Sequence, residues 1–239
     1  MDQNNGRLEI ITFGSFDILI DGDSLLTHFG KSQKALSLLK YFISNRGKKI
    51  PVNRIIEANF KLYDYTDYNN ALRSQVHRLR NIIKDINSKL ECEVMRLDFV
   101  AGNYIFKLEK EHNLDVEKFE DYVSAFSLNP LETNDDADIV SELKKALKLY
   151  RGDYIEGAEF YDWVFPLRIH YKRQYLVLLS QYISYLVKKD KYDEVISECE
   201  SALSINFFDE VIHEYLLEAL FKSNKANQAL NHYNYVTSR

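Results

Sequence analysis

The chain has 239 residues, 46% of them hydrophobic and 28% charged, with a formal net charge of -5, enough for one large or two ordinary globular domains. Eight Gly and three Pro exclude collagen-like and Pro-rich compositions, and Cys92 and Cys199, far apart and without CxxC or Cys/His spacing, read as reduced thiols of a cytosolic protein, not a zinc site or a disulfide frame. The opening MDQNNGRLEI has no signal-peptide pattern and no apolar run reaches membrane-spanning length, so a soluble, cytoplasmic protein is expected.

The charge is unevenly spread. Residues 1–108 hold 16 Lys and Arg against 12 Asp and Glu, a net of +4, and the remainder carries -9. A basic front and an acidic rear suggest different partners for each, against the plainer reading of two solvated domains.

In chain order, LEIITFGSFDILI over Leu8–Ile20 is rich in Ile and Phe and precedes Asp21-Gly22, a hairpin-forming dipeptide. Two or more strands are expected there. Ser32–Asn45 carries Leu36, Leu39, Phe42 and Ile43 at helical spacing. A short helix follows from about Val52 to Phe60, with Pro51 at its mouth and Ile55 and Ile56 inward.

The next helix organises the front half. Over Asn69–Ile86, Leu72, Val76, Leu79, Ile83 and Ile86 form one apolar stripe at 100° per residue. Asn70, Arg73, Ser74, His77, Asn81 and Lys84 fall opposite it, flanked by Arg78 and Arg80, with no acid between Asp67 and Asp85. Such a helix suits a DNA major groove, where guanidinium groups reach guanine edges or phosphates and Asn pairs with adenine. An ordinary amphipathic surface helix is the plainer alternative. The candidate DNA contacts are Arg73, Ser74, His77, Arg78, Asn81 and Lys84. Arg80 points between the faces, to bind phosphate or to brace an acid. Lys31, Lys34, Lys48, Lys49 and Arg54 are further phosphate candidates. Short strands at Val94–Leu97 and Tyr104–Leu108, joined through Ala101-Gly102-Asn103, close this half.

Strands, three helices and a terminal hairpin make a winged helix with an extra N-terminal sheet. Here the chain resembles the OmpR-type effector domains, through LEIITFGSFDILIDG, ALSLLKYFISNRGKKIPVNRII, QVHRLRNIIK and VAGNYIFKL. The resemblance implies that the Lys61–Asn69 loop, with Tyr63, Asp64, Tyr65, Asp67 and Tyr68, touches RNA polymerase. Tyrosines packing back onto the domain are the alternative. The wing is poor in base, with Arg96 and Lys107 as its cations and Asn103 near a turn where the family often has Gly.

A domain junction is expected near 109–113, giving a winged-helix domain over 1–110 and an all-helical domain over 111–239. Apolar spacing predicts helices over ADIVSELKKALKLYRGDYI and over Tyr161–Lys188, with Trp163 in the core and Pro166 early in the second. A 34-residue repeat then aligns LVKKDKYDEVISECESAL from Leu186 with LFKSNKANQALNHYNYVT from Leu220. That is the tetratricopeptide period, with Asp190 and Asn224 at the left-handed turn position that Gly usually takes.

A winged helix followed directly by tetratricopeptide-like helices resembles the SARP-type bacterial transcriptional activators. The matching rear residues are Ala146-Leu147, Arg151-Gly152-Asp153, Trp163, Arg168, His213, Glu218-Ala219-Leu220, Ala229-Leu230, Tyr233 and Arg239. The resemblance implies an activator that binds direct repeats in double-stranded DNA, self-associates there and recruits polymerase. Members usually run past the position of Arg239, so the chain is either a short member or a fragment. No receiver domain precedes residue 1, so control by phosphorylation is not expected.

The competing class is a protein–protein adaptor whose winged helix has lost DNA. An enzyme is not expected. Gly30-Lys31-Ser32 is similar to the end of a phosphate-binding loop, but position 25 is Leu where Gly is required. No HExxH or GxSxG appears, and His213-Glu214 is isolated. No cofactor and no metal are expected.

Overall fold

The computed structural model describes residues 7–30, 32–60, 66–109, 112–128, 137–158, 161–205 and 209–238. Two compact units form: Met1–Glu117 with Asp153–Ile169, and Lys118–Gly152 with His170–Arg239.

The first unit opens with strands β1 (Leu8–Ile11), β2 (Asp17–Ile20) and β3 (Asp23–Ser24). Leu8, Ile10 and Ile18 alternate inward and are fully buried. Asp21 and Gly22 both take positive φ, 52° and 90°, which matches the tight hairpin between β2 and β3. A fourth strand, β7 (His112–Leu114), joins β1 in parallel, so the sheet order is β3-β2-β1-β7. Sequence reading does not anticipate it, because three residues carry no measurable alternation.

Helices α1 (Leu26–Phe29), α2 (Gln33–Ser44), α3 (Val52–Asn59) and α4 (Tyr68–Lys89) follow. Leu39, Phe42 and Ile43 of α2 are fully buried as expected, joined by Ala35 and Leu38. In α3, Ile55 is buried and Ile56 only half so. Strand β4 (Ile50–Pro51) and the wing strands β5 (Met95–Val100) and β6 (Asn103–Leu108) form a second sheet, ordered β4-β6-β5. Ala101 and Gly102, at φ 48° and 78°, make the wing turn.

Asp115, directly after β7, closes the end of β1. Its carboxylate accepts from Thr12 N at 2.8 Å, Thr12 Oγ1 at 2.6 Å, Phe13 N at 3.0 Å and Val116 N at 2.8 Å. These donors are buried, and a carboxylate satisfies them where the ladder stops. The returning segment Asp153–Ile169 continues the same layer. Tyr154 bridges Phe13, its hydroxyl lies 2.8 Å from Ser44 Oγ, and Arg168 donates to the carbonyls of Tyr154 and Ile155 at 2.9 and 2.7 Å. Trp163, expected in the core of the rear helices, is half-buried in the first unit, edge-on to Tyr41 with centroids 5.2 Å apart. Trp163 stands one residue before α7, and periodicity along a helix does not say which neighbour the residue leading into it meets.

The remaining helices are α5 (Asp115–Leu128), α6 (Ala137–Leu149), α7 (Val164–Lys188), α8 (Tyr192–Ile205), α9 (Glu210–Lys222) and α10 (Ala226–Thr237). The 34-residue repeat is visible in backbone detail. Asp190 and Asn224 sit at φ 54° and 58°. Lys191 N donates to Leu186 O at 3.0 Å, and Lys225 N to Leu220 O at 2.9 Å. Each is the six-residue hydrogen bond that ends a helix at a left-handed residue. Val195, Ile196 and Cys199 of α8 are buried, while their α10 counterparts Leu230 and Tyr233 are exposed. Cys92 and Cys199 are free thiols, and burial pushes the Cys199 thiol up to about 12.

Candidate nucleic-acid interface

Asp67 starts α4 by accepting a hydrogen bond from Asn70 N at 3.0 Å, an N-cap that satisfies one of the helix's orphan donors. Beyond it, Leu72, Val76, Leu79, Ile83 and Ile86 are all buried, with Ile82 added. The stripe fixes the helix's rotation, and rotation decides which polar residues face outward. Arg73, Ser74, His77, Arg78, Arg80, Asn81 and Lys84 are all exposed. Among the described residues, no carboxylate is ion-paired with Arg73, Arg78 or Lys84.

The two flanking arginines are tethered to the fold. Arg80 donates from Nε and Nη2 to the carbonyl of Leu97 at 3.2 and 3.0 Å, tying α4 to the first wing strand. It braces a backbone carbonyl, not an acid. Arg78 Nη1 donates to Ser32 Oγ at 3.0 Å, at the start of α2. Ser32 is a partner that sequence reading missed, because nothing local links positions 46 residues apart. Arg73, His77, Asn81 and Lys84 lie between these two anchored edges.

The wing presents little free positive charge. Arg96 lies 3.7 Å from Glu93, 3.2 Å from Asp98 and 3.7 Å from Glu109, and Lys107 lies 3.6 Å from Asp98. Its tip is apolar, with Phe99 and Val100 more than half exposed, and Asn103 Nδ2 donates back to Ala101 O. Lys48, Lys49 and Arg54 are exposed and Lys34 is half-buried. Lys31 and the loop residues Tyr63, Asp64 and Tyr65 lie outside the described residues, and Tyr68 opens α4 half-buried. Among the described residues no three His, Cys, Asp or Glu side chains gather as metal ligands, and no helix is long and apolar enough to cross a membrane.

The family model of the bacterial transcriptional activator domain matches residues 114–239. No curated protein matches the chain by sequence. Among solved structures, Mycobacterium tuberculosis EmbR, in complex with a low-affinity phosphopeptide, aligns with 98% of this chain at a TM-score of 0.70 and 19% identity. The alignment covers 59% of that protein, so the chain spans less than two thirds of its length, and at that identity the likeness is one of fold. The chain belongs to the bacterial transcriptional activator domain family and has the SARP-type arrangement, a winged helix followed by tetratricopeptide-like helices.

Proposed function

We propose that this protein is a cytoplasmic transcriptional activator that binds double-stranded DNA through α4. The observation that carries the reading is the outer face of that helix: Arg73, Ser74, His77, Asn81 and Lys84 are exposed, and among the described residues no carboxylate is ion-paired with Arg73 or Lys84. Arg73 and Lys84 supply groove or phosphate contacts, and Asn81 and His77 have the donors and acceptors for base edges. Arg78, held by Ser32, reaches the phosphate on one flank. Arg80 holds the wing beside the helix and contributes to DNA binding mainly through that placement.

Family membership supports a role in activation at promoters. Two protomers bind side by side on direct repeats, and the loop from Tyr63 to Tyr68 contacts RNA polymerase. A mobility-shift titration on promoter fragments, across a range of salt, tests the DNA contact. Arg73→Ala and Arg78→Ala should each weaken binding and reduce the salt slope by about one ion. Relaxed sequence preference in Asn81→Ala would mark a base contact. If wild type binds no better than the double arginine variant, the adaptor reading replaces this one. A footprint over a single half-site or an inverted repeat would remove the direct-repeat arrangement.

A further inference from the structure

The second tetratricopeptide helix pair ends differently from the first. In α8, Ile196, Cys199 and Leu203 are buried within the unit, and Tyr192 is half-buried. Shifted by the 34-residue repeat, these positions become Ala226, Leu230, Tyr233 and Thr237 of α10. All four are exposed, Leu230 by 59% and Tyr233 by 54%. Spacings of four, three and four residues put them on one stripe at 100° per residue, the seam pattern of paired helices. The side turned to α9 is a different one: Ala229, His232 and Val236 are half-buried there, with His232 2.9 Å from His213. The repeat thus leaves on α10 a seat for one more helix.

The chemistry of that seat matches itself. α10 reads ANQALNHYNYVT and holds no Asp, Glu, Lys or Arg, whereas each of α6, α7, α8 and α9 carries several. Its imidazole, His232, is held towards the neutral form by burial and by His213. In a contact around a two-fold axis a surface meets its own copy, so a charged face repels itself and an uncharged one does not. Asn227 and Asn234 border the stripe, and an amide both donates and accepts, so it can pair with the same group on another copy. A strongly charged partner finds nothing on this helix to attract it.

We propose that α10 pairs antiparallel with α10 of a second copy of this chain. About the two-fold axis, Leu230 of each copy meets Tyr233 of the other, Ala226 meets Thr237 at the ends, and Asn227 faces Asn234 along one edge. The seam is short: 12 residues span about 18 Å. A contact of that length buries less than the roughly 1,200 Å² of a stable interface, so the pairing is weak and reversible, with a dissociation constant on the order of tens of micromolar. It is a two-fold contact, unlike the head-to-tail one that direct repeats imply. It stands whether or not α4 binds DNA, because α10 lies wholly in the second unit.

Sedimentation velocity on the full chain without DNA, from about 5 to about 500 µM, tests it. Wild type should pass from monomer to dimer over that range. Leu230→Glu and Tyr233→Lys should each weaken the association about tenfold or more. An equimolar mixture of the two variants should recover it, because the new carboxylate then lies opposite the new ammonium. Both side chains are exposed, so melting at the lowest concentration should be unchanged in each variant. Arg73→Ala with Arg78→Ala should leave the association unchanged, which separates this contact from the DNA face. A wild type that stays monomeric throughout would give the seat to a different partner or to a further helical repeat, and would overturn the proposal. So would single variants that dimerise as wild type does, or a mixture of them that recovers nothing.

Discussion

Arg73 and Arg80 stand two turns apart on α4, yet they meet different surroundings. Arg73 projects into solvent, whereas Arg80 spends two donors on the Leu97 carbonyl. Arg80→Ala should therefore lower stability by about 1–2 kcal/mol, and Arg73→Ala by less than about 0.5 kcal/mol, read from urea midpoints. Equal losses would remove the assignment of Arg80 as a tether. A second residue-scale feature is titratable. His112 places Nε2 2.7 Å from Glu117 Oε2 and Nδ1 2.6 Å from the Glu109 carbonyl, and Arg46 Nε donates to Glu117 Oε1 at 2.6 Å. The Glu117 hydrogen bond raises His112 above 6.5, and the His112 hydrogen bond, with help from Arg46, holds Glu117 below 4.5. Stability from His112 is fully present below 6.5 and is lost as pH rises through its raised folded value. Stability from Glu117 is present above 4.5 and is lost as pH falls through its lowered folded value. The cluster is strongest between those two limits. The denaturation midpoint should fall as pH rises from about 6 to about 9, and His112→Gln should flatten that fall. An unchanged slope in the variant would show that His112 is not its source.

At the scale of elements, the two tetratricopeptide turns are a controlled pair. Asp190 and Asn224 hold left-handed backbone that a side chain tolerates at some strain. Asn224→Gly should raise stability by up to about 1 kcal/mol, and Asn224→Val should lower it, since a β-branched residue fits that region poorly. Thermal melts of the two variants against wild type would check the sign. The helices on either side of such a turn need not be equally secure. α10 has no buried residue; His232 lies 2.9 Å from His213, and Lys225, just before the helix, donates to Asp193 at 2.7 Å. Amide exchange should accordingly show α10 opening before α8, whose Val195, Cys199 and Ala202 are buried. Equal protection of the two helices would contradict this.

For the whole molecule, the first unit is made from two stretches of chain. Residues 1–110 lack β7, lack Asp115 beneath Thr12 and Phe13, and lack Tyr154 against Phe13 and Ser44. Each omission uncovers apolar side chains or buried donors. A chain ending at residue 110 should lose cooperative thermal unfolding by circular dichroism, while the full chain retains it. A sharp melt at the full chain's midpoint would mean that the early segment is self-sufficient.

Local repeats and turns are written in the amino-acid order alone. The apolar stripe of α4 is legible because 3.6-residue periodicity over 22 residues is hard to mistake, and with it came the outward set from Arg73 to Lys84. The Asp21-Gly22 turn, Gly102 in the wing turn and the Asp190 and Asn224 positions follow from residues that tolerate positive φ. The tertiary structure alone decided the partners: the three-residue strand beside β1, Trp163 against Tyr41, Arg78 on Ser32, Arg80 on Leu97, and the wing cations beside acids. Each of these depends on which surfaces meet. Thr12 and Asp115 are 103 positions apart, and no local pattern couples residues at that distance. Burial of apolar faces brings them together, and the polar groups then satisfy whatever they meet.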